Sequence, residues 1–150
     1  MAEKNALECH DYFVQKIMED WHSFTEFVFS EKYCDFDFTN ARARMEVPVF
    51  PPTQNVKYLS IKGYIDIFID GVRVKEKSKD DGDCLYETLE YCIEVKSFIK
   101  SITETMRQIN THRMFIPLGT PYVVASPDNR YNDILDSQNL IYIELEKSRF

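Results

Sequence analysis

Tyr91-Cys92-Ile93-Glu94-Val95-Lys96, inside a segment running from Leu85 to Ser97, alternates without exception. Tyr91, Ile93 and Val95 make one face and Cys92, Glu94 and Lys96 the other, the period of two that a strand imposes. Glu94 and Lys96 therefore stand on the same side, about 7 Å apart along the strand. Upstream, Tyr58 to Asp70 reads as a long strand with Ile61, Ile65, Ile67 and Ile69 on one face. Ser60, Lys62, Tyr64, Asp66, Phe68 and Asp70 take the other face. If these two strands are neighbours, Asp66, Glu94 and Lys96 can meet at one spot.

The remaining elements fall around this pair. From Glu3 to Lys32 there is no Gly or Pro, and Phe13, Ile17, Trp21, Phe24 and Val28 recur at helical steps, which predicts one amphipathic helix with an aromatic core stripe. An irregular stretch with Asp35, Asp37 and Asn40 follows. Arg44 to Phe50 reads as a strand with Met45, Val47 and Val49 on one side, and Pro48 favours an edge or a bulge. Pro51 to Asn55 turns the chain. Lys75 to Asp83 is expected to be a solvated hairpin tip around Asp81-Gly82. Ile102, Met106 and Ile109 mark a helix from about Lys100 to Phe115, stopped by Pro117 and Gly119. Pro121 to Ser126 is a short strand, Arg130 to Ser137 a helical turn or two, and Leu140 to Leu145 a final strand. The order α-β-β-β-α-β-(α)-β predicts an α/β fold with a mixed sheet flanked by helices.

Length and composition agree with a single domain over residues 1–150. At 44% hydrophobic and 29% charged residues, the chain matches an ordinary globular protein rather than a disordered or collagen-like one. No apolar run approaches the roughly 20 residues that span a bilayer, and Met1 to Asn5 lacks a basic leader, so no membrane association and a reducing, cytoplasmic setting are expected. Cys9, Cys34, Cys84 and Cys92 contain no C-x-x-C pair and no nearby His at finger spacing, which predicts free thiols and no zinc site. With 18 Lys and Arg against 25 Asp and Glu, the formal charge is −7 and works against nucleic-acid binding unless bases cluster or a cation intervenes.

Two acids and an amine at one spot have a definite chemical use. Carboxylate oxygens suit hard cations such as Mg²⁺ or Mn²⁺. Such an ion polarises a phosphodiester and lowers the pKa of a bound water. Lys96 could orient that water or stabilise charge in a phosphorane-like transition state. The carbonyl of Val95, between the two functional side chains, is a third donor for the same ion.

Gly63-Tyr64-Ile65-Asp66, then Ile93-Glu94-Val95-Lys96, then a helix carrying Arg107-Gln108-Ile109-Asn110-Thr111-His112 together resemble the PD-(D/E)XK nuclease superfamily. The resemblance covers most of the chain and implies a restriction-endonuclease-like αβββαβ core, close to the RecB-like and Holliday-junction-resolvase-like branches. It implies Asp66 and Glu94 as metal ligands, Lys96 as the catalytic lysine, and Gln108 at the position of the RecB-like Gln. Ile65 stands where the family name has Pro, and His112 replaces the Tyr of the Q-x-x-x-Y motif. The iron–sulfur members carry three closely spaced cysteines near the C-terminus, whereas no Cys follows Cys92, so no iron–sulfur cluster is expected. Many relatives add a Glu from the first helix. Glu8, Glu19 and Glu26 all qualify and the sequence does not choose among them; Glu46 is a further possibility, and Asp70 reads as a strand-end residue.

DNA is the expected partner, with Arg42, Arg44, Lys62, Lys100, Arg107, His112 and Arg113 as phosphate contacts. A homodimer or a larger nucleic-acid-processing complex could supply extra grip. The leading expectation is thus a Mg²⁺- or Mn²⁺-dependent deoxyribonuclease. The alternative is a catalytically inactive binding or assembly module on the same fold, which would keep the sheet but bind no divalent metal.

Overall fold

The computed structural model of the chain describes residues 2–50, 61, 63–77 and 85–146, with side chains from residue 9 onward. The expected turn at Pro51 to Asn55, the Asp81-Gly82 tip, Lys62 and Cys84 lie outside the described residues. The elements are α1 (Ala2–Glu19), α2 (Trp21–Phe29), β1 (Tyr33–Asp37), β2 (Arg42–Val49), β3 (Gly63–Glu76), β4 (Tyr86–Val95), α3 (Ile102–Arg113), β5 (Tyr122–Ser126), α4 (Asn132–Ser137) and β6 (Ile141–Glu144). The strands form one mixed sheet in the order β1-β3-β4-β5-β6, with β2 also on β3. Pairings through β3 are antiparallel, and β4, β5 and β6 run parallel. The mixed α/β class is as expected. No described helix is long and apolar enough to cross a membrane.

Each face of the sheet has its own core. On one, Phe13, Ile17, Phe24 and Phe29 from α1 and α2 pack on Ile67, Ile69, Tyr91, Ile93, Val95, Val123 and Ala125. On the other, Ile109 of α3 and Leu135 of α4 pack with Cys92, Tyr122 and Val124. Burying each such large apolar side chain contributes about 1.5–3 kcal/mol, so these two layers fix which face of β4 each residue occupies. The Tyr91 hydroxyl, deep in the first core, meets Thr25 Oγ1 at 2.8 Å and so does not go unpaired.

Four features depart from the sequence reading. The N-terminal helix is two: Asp20 leaves helical geometry (φ −139°, ψ 43°). Phe13 and Ile17 before it, and Phe24 after it, still share one core, which is why the periodicity runs through the break. Residues 33–37 form a strand rather than an irregular stretch. A register shift between Tyr33 and Asp35 spoils the alternation that would have announced it. β3 continues through Lys75 and Glu76 and so takes in the start of the expected hairpin tip. Finally, Ile65 does not join Ile67 and Ile69 but packs with Val47 and Val49 in the second core, and Met45 is half exposed. β2 and β3 stay paired as far as Val49 and Gly63, whereas β4 pairs with β3 only as far as Ile67. The β2–β3 ribbon therefore peels away from the sheet beyond Ile67, and the site lies in that gap.

Candidate active site

The gap opens at one residue. β3 and β4 are in register at Ile67 and Ile93. On β4 the N–H groups of Cys92 and of Lys96 just beyond it bond toward β5, to the carbonyls of Pro121 and Ala125, so that of Val95 faces β3. With β3 gone, the Asp66 side chain fills the vacancy, and its Oδ2 accepts the Val95 N–H at 2.8 Å. A residue's N–H and C=O leave a strand on the same edge, so the Val95 carbonyl faces this gap as well. Opposite Asp66 on β2 sits Glu46, in the left-handed region at φ 51°. His10, Asp11, Gln15, Met45, Glu46 and Asp66 help line a cavity of about 390 Å³ there.

Glu94 points to the α3 side and is 2% exposed. Its Oε1 accepts from Gln108 Nε2 at 3.3 Å and lies 3.4 Å from Lys96 Nζ. Lys96 Nζ also donates to Gln108 Oε1 at 2.9 Å, which closes a triangle of three side chains. Glu94 Oε2 is buried and makes no hydrogen bond of good geometry. The Tyr122 hydroxyl lies beside the same carboxylate, and burial together with that charge raises the tyrosine pKa, but the hydroxyl is bonded to His112 Nδ1. Burial pushes the Glu94 carboxyl up to about 7; the nearby Asp66 charge pushes the same way, and Lys96 pulls against both. Glu94, Lys96 and Gln108 are thus held together on the α3 side, whereas Asp66 does not share their face as the sequence reading had it: it lies at the strand edge, bonded to Val95 and His10, near enough for its charge to act on Glu94.

The sequence reading missed His10. Its Nε2 is 3.3 Å from Asp66 Oδ1 and its Nδ1 is 3.1 Å from Asp11 Oδ1. The hydrogen bond to Asp66 is the main reason its pKa rises to about 9, against the opposing effect of burial. The signal was available: His10 lies three residues before Phe13 and seven before Ile17, on the buried stripe of α1. Of the three helical glutamates, Glu19 and Glu26 are exposed, and the side chain of Glu8 is outside the described residues.

The basic residues divide. Lys96 and Lys100 share a cavity of about 760 Å³ with Phe98, Ser101, Glu104, Thr105 and Gln108. Arg42 and Arg44 both reach Asp70, at 3.5 and 3.0 Å, and Arg44 also covers Phe68; Asp70 is not a strand-end residue as the sequence suggested but lies in the middle of β3, where it balances the two arginines of β2. Arg107 pairs with Glu104 one turn earlier on α3. Arg113 Nη1 donates to the Gln138 carbonyl at 2.9 Å. His112 corrects the sequence reading: it is 2% exposed and its Nδ1 meets Tyr122 Oη at 3.0 Å, so it braces α3 against β5 instead of touching phosphate. Burial holds its pKa below the usual value.

Among the described residues, no three His, Cys, Asp or Glu side chains assemble into a metal centre by themselves. The donors that fit a hard cation are the two carboxylates and the Val95 carbonyl, with water completing the shell, as is usual for Mg²⁺. The unpartnered Glu94 Oε2 is the observation that favours this fit. Deprotonated, His10 Nε2 would add a nitrogen donor of the kind Mn²⁺ tolerates. No protein family, curated protein or solved structure matches the chain in comparison.

Proposed function

We propose that the protein is a metal-dependent nuclease that hydrolyses phosphodiester bonds in DNA, on a PD-(D/E)XK-like core. The observation that carries this reading is a buried carboxylate with one unpartnered oxygen, Glu94, beside a second carboxylate, Asp66, in a strand gap. A buried acid with one oxygen left unbonded is destabilising even beside a lysine, and such costs concentrate where chemistry is done.

Asp66 and Glu94, with the Val95 carbonyl, would hold Mg²⁺ or Mn²⁺, which supplies Lewis-acid polarisation of the phosphate and a more acidic water. The chain's own residues do the rest. Asp66 is fixed by the Val95 N–H, so its orientation is set by the sheet rather than by a free rotamer. Gln108 holds Lys96 and Glu94 at once. Lys96 thereby keeps its ammonium at the edge of the buried acid, facing the cavity, positioned to stabilise developing phosphoryl charge.

The test joins binding to cleavage. Isothermal titration with Mn²⁺ should show binding that Asp66→Asn and Glu94→Gln remove and Lys96→Ala retains. Cleavage of linear, single-stranded and branched DNA should fall roughly 10²–10³-fold in Lys96→Ala, the scale for losing one preorganised stabiliser. Wild-type protein no more active than these variants, with either ion, refutes the nuclease.

One observation favours a catalytically inactive binding module instead. His10 beside Asp66 and Lys96 beside Glu94 give each acid a protein cation already. A flat Mn²⁺ titration would support that reading.

A further inference from the structure

The loop after β4 holds an aromatic ring in an unusual state. Phe98 is 57% exposed, yet it is not loose. The Arg130 guanidinium carbon stands 4.7 Å from its ring centroid. That guanidinium is itself pinned: Nε and Nη2 donate to Asp128 Oδ1 and Oδ2 at 2.9 and 2.7 Å, and Nη2 also reaches the Ile99 carbonyl at 2.8 Å. Asp128 Oδ2 returns to the loop by accepting the Ile99 N–H at 3.0 Å. The ring is thus fixed by a cation that cannot swing away, and it still presents more than half its surface.

Phe98 also lines the cavity that holds Lys96, Lys100, Ser101 and Gln108. At about 760 Å³ this space falls within the range of small-ligand sites, roughly 300–1,000 Å³. Two lysines line it, and its acid, Glu104, is engaged by Arg107. A fixed aromatic face two residues from the proposed catalytic lysine, in a cavity with cationic walls, suits a base attached to a phosphate.

We infer that Phe98, backed by Arg130, is a stacking platform for the nucleobase adjoining the scissile phosphate, and that the substrate is single-stranded. In a duplex the interior bases offer only their edges to protein; a base face becomes available when the strand is single. Stacking accepts every base, so the platform confers strand-state preference without sequence preference. The inference names the substrate class of the nuclease site and rests on that reading.

The probe is a twelve-residue oligothymidylate with one central 2-aminopurine, bound in EDTA so that no cleavage occurs. Wild type should quench the 2-aminopurine fluorescence and bind the oligonucleotide more tightly than a sealed duplex dumbbell. Phe98→Ala should bind roughly tenfold more weakly and lose the quenching, the scale of one stacked base. Phe98→Trp should retain both. Circular dichroism of each variant shows whether the fold is intact, which the exposure of the ring leads us to expect. Unchanged binding by Phe98→Ala, absent quenching in the wild type, or equal affinity for the dumbbell overturns the platform. Mn²⁺-dependent cleavage is measured separately: a platform that behaves as described in a protein that cleaves nothing leaves the stacking intact and removes the nuclease. Cleavage with no effect of Phe98→Ala on binding does the reverse.

Discussion

Glu94→Gln should make the metal-free protein more stable at pH 8. Glu94 is 2% exposed, and its carboxyl is raised from 4.5 to about 7, chiefly by burial. That difference corresponds to roughly 3 kcal/mol of stability lost when the group is ionised. An acid whose folded pKa lies above its unfolded value binds its proton more tightly when folded. Its contribution is therefore complete below about pH 4.5 and disappears as the pH rises through about 7. Glutamine removes the charge but keeps an oxygen for Lys96 and Gln108. It places an amide where Glu94 Oε2 now lacks a partner, which gives back on the order of 1 kcal/mol. The net gain of about 2 kcal/mol translates into roughly 4–8 °C of melting temperature for a chain of this size.

Thermal melts by circular dichroism in EDTA, at pH 5 and pH 8, measure it. The variant should melt higher at pH 8, and the gap should shrink toward pH 5, where wild-type Glu94 is protonated. Mn²⁺ at about a hundredfold over its Kd should stabilise the wild type by about 2.7 kcal/mol and close or reverse the gap. A variant that melts below the wild type at pH 8 in EDTA, or a gap of equal size at both pH values, refutes the claim that ionised Glu94 is a desolvated charge that Lys96 offsets only in part.

Asp128→Ala should lower stability by about 2–3 kcal/mol in urea denaturation, because it strips the acceptor from the Ile99 N–H and the partner from Arg130. Arg130 holds the Asp128 carboxyl well below the usual range, so this contribution is present at neutral pH and fades only in strong acid; a gap from wild type that widens below pH 4 contradicts it. Gly63→Ala should destabilise by about 1–3 kcal/mol, because Gly63 sits at φ 150° and a Cβ there would lie 2.4 Å from His112 Nε2. An unchanged melting temperature would show that α3 yields freely. Native protein treated with a disulfide thiol reagent should be labelled at exposed Cys9 and Cys34, while burial, with Glu90 and Glu94 nearby, pushes the Cys92 thiol up to about 12 and keeps it unreactive until unfolding. Equal labelling rates for Cys92 and Cys34 would contradict the burial.

The chemistry-bearing strand was legible because β4 is buried on both faces by different partners, so Tyr91, Ile93 and Val95 had to alternate with Cys92 and Glu94. Asp66 was singled out by the same period on β3, but that period fails between Ile65 and Ile67, so its side chain reaches the edge of β4 and His10 rather than the face of Glu94. What escaped the sequence lacks a periodic cause. The break at Asp20 carries neither Gly nor Pro, and the helices on both sides serve one core. β1 hides behind its register shift. The left-handed turn at Glu46 has no glycine to announce it, and the peeling of β3, which sends Ile65 to the second core, is a property of strand pairing rather than of residue type. His10 was readable from the α1 stripe, but among apolar neighbours it resembled another core position.

The charge balance and the site geometry bear on the same question. A chain of formal charge −7 cannot draw DNA in by a long-range field, and several cations near the gap are already spent on acids: Arg42 and Arg44 on Asp70, Arg107 on Glu104, Arg130 on Asp128. Pairing removes a charge at distance without removing its surface. Arg130 illustrates this, since its side chain stays half exposed and stands against the Phe98 ring while its charge is engaged by Asp128. Under the proposed function, recognition would have to act at contact range, through Lys96, Lys100 and the exposed ring of Phe98, with a divalent cation held by Asp66 and Glu94 offsetting two of the acids that oppose the substrate. On that reading, the expected affinity is for strands that can bring a phosphate to the gap and lay a base beside it.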